Sequence, residues 1–209
     1  MLAIAGGKGG CGKTTTALGI ARALADIGAR PLVVDTDADM PDVHHRAGVD
    51  GDGGVAVVAE GGRPRTAARR SPRFPGVDVL PCRDGDAEAV AAVAHRLADA
   101  ARPVLLDCPA GAGPAAVAPL RAADRTVVVS TPSPQSLRDA AKTAAMAREL
   151  DAAPALVVLV RSDGESDPSP LFESPAVVHI PELSEPPLET EESVAGYLSC
   201  AKILRKRNI

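Results

Sequence analysis

Aromatic residues are nearly missing from this sequence. Phe74, Phe172 and Tyr197 are the only three among 209 residues, and tryptophan is absent. The core must therefore be aliphatic and alanine-rich, and stacking platforms for single-stranded nucleic acid are few. Cysteine is also scarce. Cys11, Cys82, Cys108 and Cys200 lie far apart, and no C-x-x-C pair occurs. That spacing argues against a zinc ribbon and gives no disulfide framework. No apolar run approaches the roughly 20 residues that span a bilayer. Positive charge is not in excess: 23 basic residues face 27 acidic ones, a formal net charge of −4. A globally basic nucleic-acid binder is thereby excluded. Met1 leads straight into a short apolar run and a glycine loop, without a secretory pattern. The expectation is a reduced, cytoplasmic protein, with residues 1–209 forming a single domain.

What is present is an alternation. Short aliphatic runs at 2–5, 31–35, 77–80, 103–107, 125–130, 155–160 and 176–180 read as strands. Between them lie stretches with apolar residues at helical spacing. Residues 14–27 carry Ala17, Ile20, Ala21, Leu24 and Ile27, and Gly28 ends the stripe. Residues 86–100 begin with Asp86 as N-cap, and Ser133-Pro134 is a cap followed by proline at the first helical position. A last helix spans about 192–205 by its pattern. Continuous aliphatic strands alternating with amphipathic helices predict an α/β fold, a mostly parallel sheet with helices on both faces. Two stretches break the alternation. Residues 61–73 hold Arg63, Arg65, Arg69, Arg70 and Arg73, and residues 161–175 are polar and proline-rich. Both read as surface loops.

Chemistry concentrates at the strand ends. Gly7-Lys8-Gly9-Gly10-Cys11-Gly12-Lys13-Thr14 matches G-x-x-x-x-G-K-[ST] in full, between a strand and a helix. Glycines let successive N–H groups face one anion, and the helix adds its positive end. Lys13 supplies charge to the β- and γ-phosphates, and the Thr14 hydroxyl suits Mg2+. Asp35 and Asp107 end strands beside this loop, and Asp37 follows two residues after Asp35. A magnesium nucleotide needs carboxylates near the metal, and hydrolysis needs a group to orient water.

Lys8 is superfluous to that account. KGGCGKTT resembles the deviant Walker A motif of the MinD/ParA family of P-loop ATPases. The resemblance implies that Lys8 reaches across an ATP-bound homodimer to the partner's phosphates. It implies catalytic roles for Lys8, Lys13 and Asp37, and metal roles for Thr14, Asp35 and Asp107. Nucleotide binding is expected of residues 7–14 together with Thr15. DCPAGAG resembles the family's DxPAG segment, in which the Gly111 N–H meets the γ-phosphate. VVHIPEL resembles the segment that passes the base, giving Pro181 and Glu182. Family members often carry Asn-Arg after the sixth strand; here Val160 precedes Arg161, leaving Arg161 and backbone groups as base contacts.

The implied cofactors are ATP and Mg2+. The implied function is an ATP-dependent dimerising switch in spatial positioning, slow without a protein activator or cargo adaptor. The alternatives are an iron–sulfur or metal carrier ATPase and a small-molecule phosphoryl-transfer enzyme on the same fold. The arginine loop reads first as solvated charge balance, with DNA phosphates the lesser alternative. The tail at 205–209 is too short and too simply basic to make a good membrane anchor.

Overall fold

The aliphatic runs become strands because each strand carries one apolar set for each face of a sheet. In the computed structural model, residues 1–165, 167–173, 176–182, 188 and 190–207 are described. The elements in chain order are β1 (Leu2–Ala5), α1 (Lys13–Asp26), β2 (Leu32–Asp35), α2 (Val43–Ala47), α3 (Val55–Ala59), α4 (Pro64–Ala67) and β3 (Arg69–Arg70). They continue with β4 (Asp78–Leu80), α5 (Ala87–Arg96), β5 (Val104–Asp107), a 3-10 turn (Pro114–Ala116), α6 (Val117–Ala122) and β6 (Arg125–Ser130). The chain then forms α7 (Pro134–Glu149), β7 (Pro154–Val160), α8 (Ser169–Phe172), β8 (Val177–Ile180) and α9 (Glu191–Lys206).

The strands form one sheet in the order β3-β4-β2-β5-β1-β6-β7-β8. Every pairing is parallel except β3 with β4. Leu2 and Ile4 join a core under α1 and α9 that includes Leu18, Ile20, Tyr197 and Leu204. Ala3 and Ala5 join the opposite core with Leu106, Val90, Val93 and Leu120. The period of two thus divides β1 between two layers, as a doubly covered sheet requires. Phe172 and α7 close a third cluster over Val128, Val157 and Leu159. Asp86 and Ser133 cap α5 and α7 as expected, accepting from the N–H groups of Ala89 and Ser136.

Several boundaries differ from the sequence reading. α5 ends at Arg96 rather than 100, because the Leu97 N–H is shared between the Val93 and Ala94 carbonyls and the turn tightens. Residues 61–73 are not a plain loop. Pro64 starts a helical turn, and Arg69–Arg70 pair antiparallel with β4 as an edge strand. Two arginines on an edge are a charged guard against further pairing. Within the stretch 161–175, Phe172 is fully buried. Ser166, Ser174 and Pro175 of that stretch, Leu183 of VVHIPEL, and Asn208 and Ile209 of the tail lie outside the described residues. No helix among the described residues is long and apolar enough to cross a membrane.

Candidate nucleotide site

Loops leave the carboxyl ends of β1, β2 and β5 and converge, as the sheet topology demands. The first is the glycine loop. Gly7 lies so close to α7 that a Cβ there would stand 2.1 Å from the Asp139 carbonyl carbon. No other residue fits without moving that helix or the loop. Gly12 holds φ at 93°, turning the chain into α1. The Thr16 N–H donates to the Gly12 carbonyl, the first bond of the helix. α1 has no side-chain cap and no acid in its first turn. Its free N–H groups and positive end are left open to an anion. Cys11 is buried, and its Sγ lies 3.7 Å from the Val129 carbonyl oxygen. It is a small apolar filler beneath the loop.

The two lysines part company here. Lys13 is 9% exposed and lines the cleft. Lys8 is exposed, does not line the cleft, and makes no hydrogen bond or ion pair among the described residues.

The carboxylates lie under the loop. Asp35 and Asp107 are register partners on β2 and β5, and both are buried. Asp35 accepts from the N–H groups of Asp37 and Val43, at 3.1 and 3.2 Å. Burial, and then the neighbouring Asp107 charge, push its carboxyl up to about 8. Burial likewise raises Asp107 to about 7, while the nearby Thr14 hydroxyl and Lys13 ammonium draw it down. Asp107 Oδ1 is buried and has no hydrogen-bond partner. Asp37 is half-buried, and its Oδ1 accepts from the Met40 N–H at 3.1 Å.

A cleft of about 720 Å³ collects these groups. Gly9, Gly10, Gly12, Lys13, Thr14 and Thr15 form one wall, the wall expected to face phosphate. Asp37, Met40, Pro41, Asp42, Arg46 and Ala110 form a second wall. Val160, Arg161, Ile180, Pro181, Glu182 and Tyr197 form the third. The expected base contacts Arg161, Pro181 and Glu182 are therefore brought to one place. Gly111 departs from expectation. Its N–H already donates to the Gly6 carbonyl at 3.0 Å, closing on the phosphate loop instead of facing the cleft.

Sequence reasoning missed Met40, Arg46 and Tyr197. For Tyr197 a signal existed in Gly19, a glycine inside an apolar helix. A Cβ at Gly19 would stand 2.5 Å from the Tyr197 ring.

The donors suit Mg2+ arriving with a nucleotide. Among the described residues no group of three or more His, Cys, Asp or Glu side chains is placed to hold a metal alone. Mg2+ takes few protein oxygens and completes its shell with water and phosphate. The orphan Asp107 Oδ1 and the Thr14 hydroxyl match that habit. Burial pushes the Cys82 and Cys200 thiols up to about 12, and Cys108 also upward.

Comparison with known proteins shows the family and the fold. Residues 2–173 match the CobQ/CobB/MinD/ParA nucleotide binding domain. An uncharacterized ATP-binding protein of Methanocaldococcus jannaschii is 32% identical over 158 residues, covering 71% of this chain and 59% of that protein. The chain spans between 53% and 59% of the length of the first curated relatives it matches. Among solved structures, the cell division ATPase MinD of Pyrococcus furiosus superposes with a TM-score of 0.84 at 26% identity, over 99% of this chain and 98% of that one. MinD of Pyrococcus horikoshii, complexed with Mg-ADP, gives 0.83 at 23% identity over 99% and 96%. The fold, the loop and the matched span together place this chain in the CobQ/CobB/MinD/ParA nucleotide-binding family.

Proposed function

We propose that this protein is an ATP-dependent dimerising switch of the MinD/ParA kind, hydrolysing ATP with Mg2+ in spatial positioning of a division site, a DNA partition complex or a polar array. One observation carries the reading. Lys8 stands exposed, without a partner among the described residues, beside a phosphate loop whose own cleft already has Lys13. A lysine placed there and unused among the described residues suits the phosphates of a second copy.

The side chains divide the work. Lys13 and the α1 N–H groups hold the β- and γ-phosphates. Thr14 and Asp107 would hold the metal, with Asp35, the register partner of Asp107, beside them. Mg2+, when bound, would supply charge neutralisation at the phosphates. Asp37 orients the attacking water. Its bond to the Met40 N–H ties that duty to an exposed loop, where Met40 is 78% exposed. A protein activator or cargo adaptor reading this loop would sense the nucleotide state.

The test is sedimentation and turnover with Mg-ATP. Asp37→Ala is expected to accumulate an ATP-bound dimer. An Asp37→Ala protein that binds ATP yet stays monomeric at every concentration would contradict the reading.

A further inference from the structure

The third wall of the cleft carries chemistry that phosphate binding leaves unused. β7 and β8 are parallel neighbours with Val160 opposite Ile180. Both strands end at the same level, where the Ser162 N–H donates to the Ile180 carbonyl at 3.0 Å. Arg161 and Glu182 follow these strand ends, and both line the cleft with Val160, Ile180 and Pro181. The apolar members offer a seat for a base. Arg161 and Glu182 are exposed, and neither makes a hydrogen bond or ion pair among the described residues. Opposite charges on one wall are thus unspent on each other. Arg161 also holds φ at 55°, a backbone that non-glycine residues seldom adopt.

Side-chain amides are almost absent from this protein. Its single glutamine, Gln135, sits in the first turn of α7 and does not line the cleft. Its single asparagine is Asn208, outside the described residues. An amide donates and accepts at once, which is what reads adenine's N6 amine beside its N7. A guanidinium only donates, and a carboxylate only accepts. Guanine presents two adjacent acceptors, O6 and N7, to a guanidinium. On its other edge it presents two adjacent donors, N1–H and the N2 amine, to a carboxylate. Adenine gives a guanidinium one acceptor flanked by its N6 amine, and gives a carboxylate only that amine.

We propose that this wall accepts guanine, so that the cleft takes GTP as well as ATP, with Arg161 and Glu182 as its specificity-determining residues. The inference rests on the cleft being a nucleoside triphosphate site. Calorimetric titration of the full chain with ATPγS and GTPγS in Mg2+ tests it. The GTPγS Kd is expected within roughly tenfold of the ATPγS value. A stronger preference for ATPγS overturns the proposal. Glu182→Gln keeps the size and removes the charge at an exposed position. It is expected to lower GTPγS affinity relative to ATPγS by at least roughly threefold. A smaller change in that ratio overturns the assignment to Glu182. Binding of ATPγS alone defeats only this inference, whereas binding of neither nucleotide defeats the nucleotide reading itself.

Discussion

The phosphate wall and the base wall of the cleft are built on different terms. The phosphate wall is mostly backbone, with the Lys13 and Thr14 side chains added to it. Gly7 abuts the backbone of α7, and Gly12 is turned by a left-handed φ. Its donors are main-chain groups at the head of α1, and little there can change without moving a helix. The base wall is side chains on two strand ends, with Arg161 and Glu182 free of partners among the described residues. A site made of backbone fixes what it binds; a site made of exposed side chains leaves selectivity open to single substitutions. In the proposed function the strict half recognises triphosphate, and in the proposal for Arg161 and Glu182 the adjustable half chooses the base.

Breaking the strict half has the largest expected effects. Lys13→Ala removes the one cationic side chain of the phosphate wall, and nucleotide affinity is expected to fall at least roughly a hundredfold by calorimetry. Gly7→Ala adds no charge and removes none, yet its Cβ meets α7 backbone. Thermal melts are expected to show a loss of about 2–3 kcal/mol, with weaker nucleotide binding. Asp107→Asn separates stability from function. The native carboxyls at about 7 and 8 hold protons that the unfolded chain has lost. Their contribution is full below the unfolded value near 4 and is lost as pH rises through 7 and 8. The nucleotide-free wild type should therefore weaken from pH 6 to 9. Asp107→Asn should flatten that decline, gaining about 1–2 kcal/mol at pH 9 while losing Mg2+-dependent tightening of ATP. A decline of equal slope in both proteins would count against the buried pair. Smallest is Val160→Ala on the adjustable half, with an expected change in ATP affinity of less than roughly fivefold.

Legibility in the sequence follows the same division. The phosphate wall could be read because its chemistry resides in residue type and spacing along one segment. The sheet could be read because continuous aliphatic runs admit few other uses. α2 and α3 could not, since five residues contain little more than one helical turn of periodicity. β3 hid because two arginines resemble a loop, and only pairing with β4 makes them a strand. Phe172 hid among polar neighbours, although it is fully buried. The Gly111 hydrogen bond to Gly6 joins residues distant in sequence, so no local pattern announces it.

In the proposed function a second copy completes the site through Lys8. The most direct measurement is ATP turnover per chain across a range of protein concentration, for wild type and Lys8→Ala, with ATP affinity measured in parallel. The account predicts that Lys8→Ala binds ATP within roughly threefold of wild type. It also predicts that the wild type's rise in turnover with concentration disappears in the variant. A Lys8→Ala protein whose turnover still climbs with concentration as the wild type's does would contradict it.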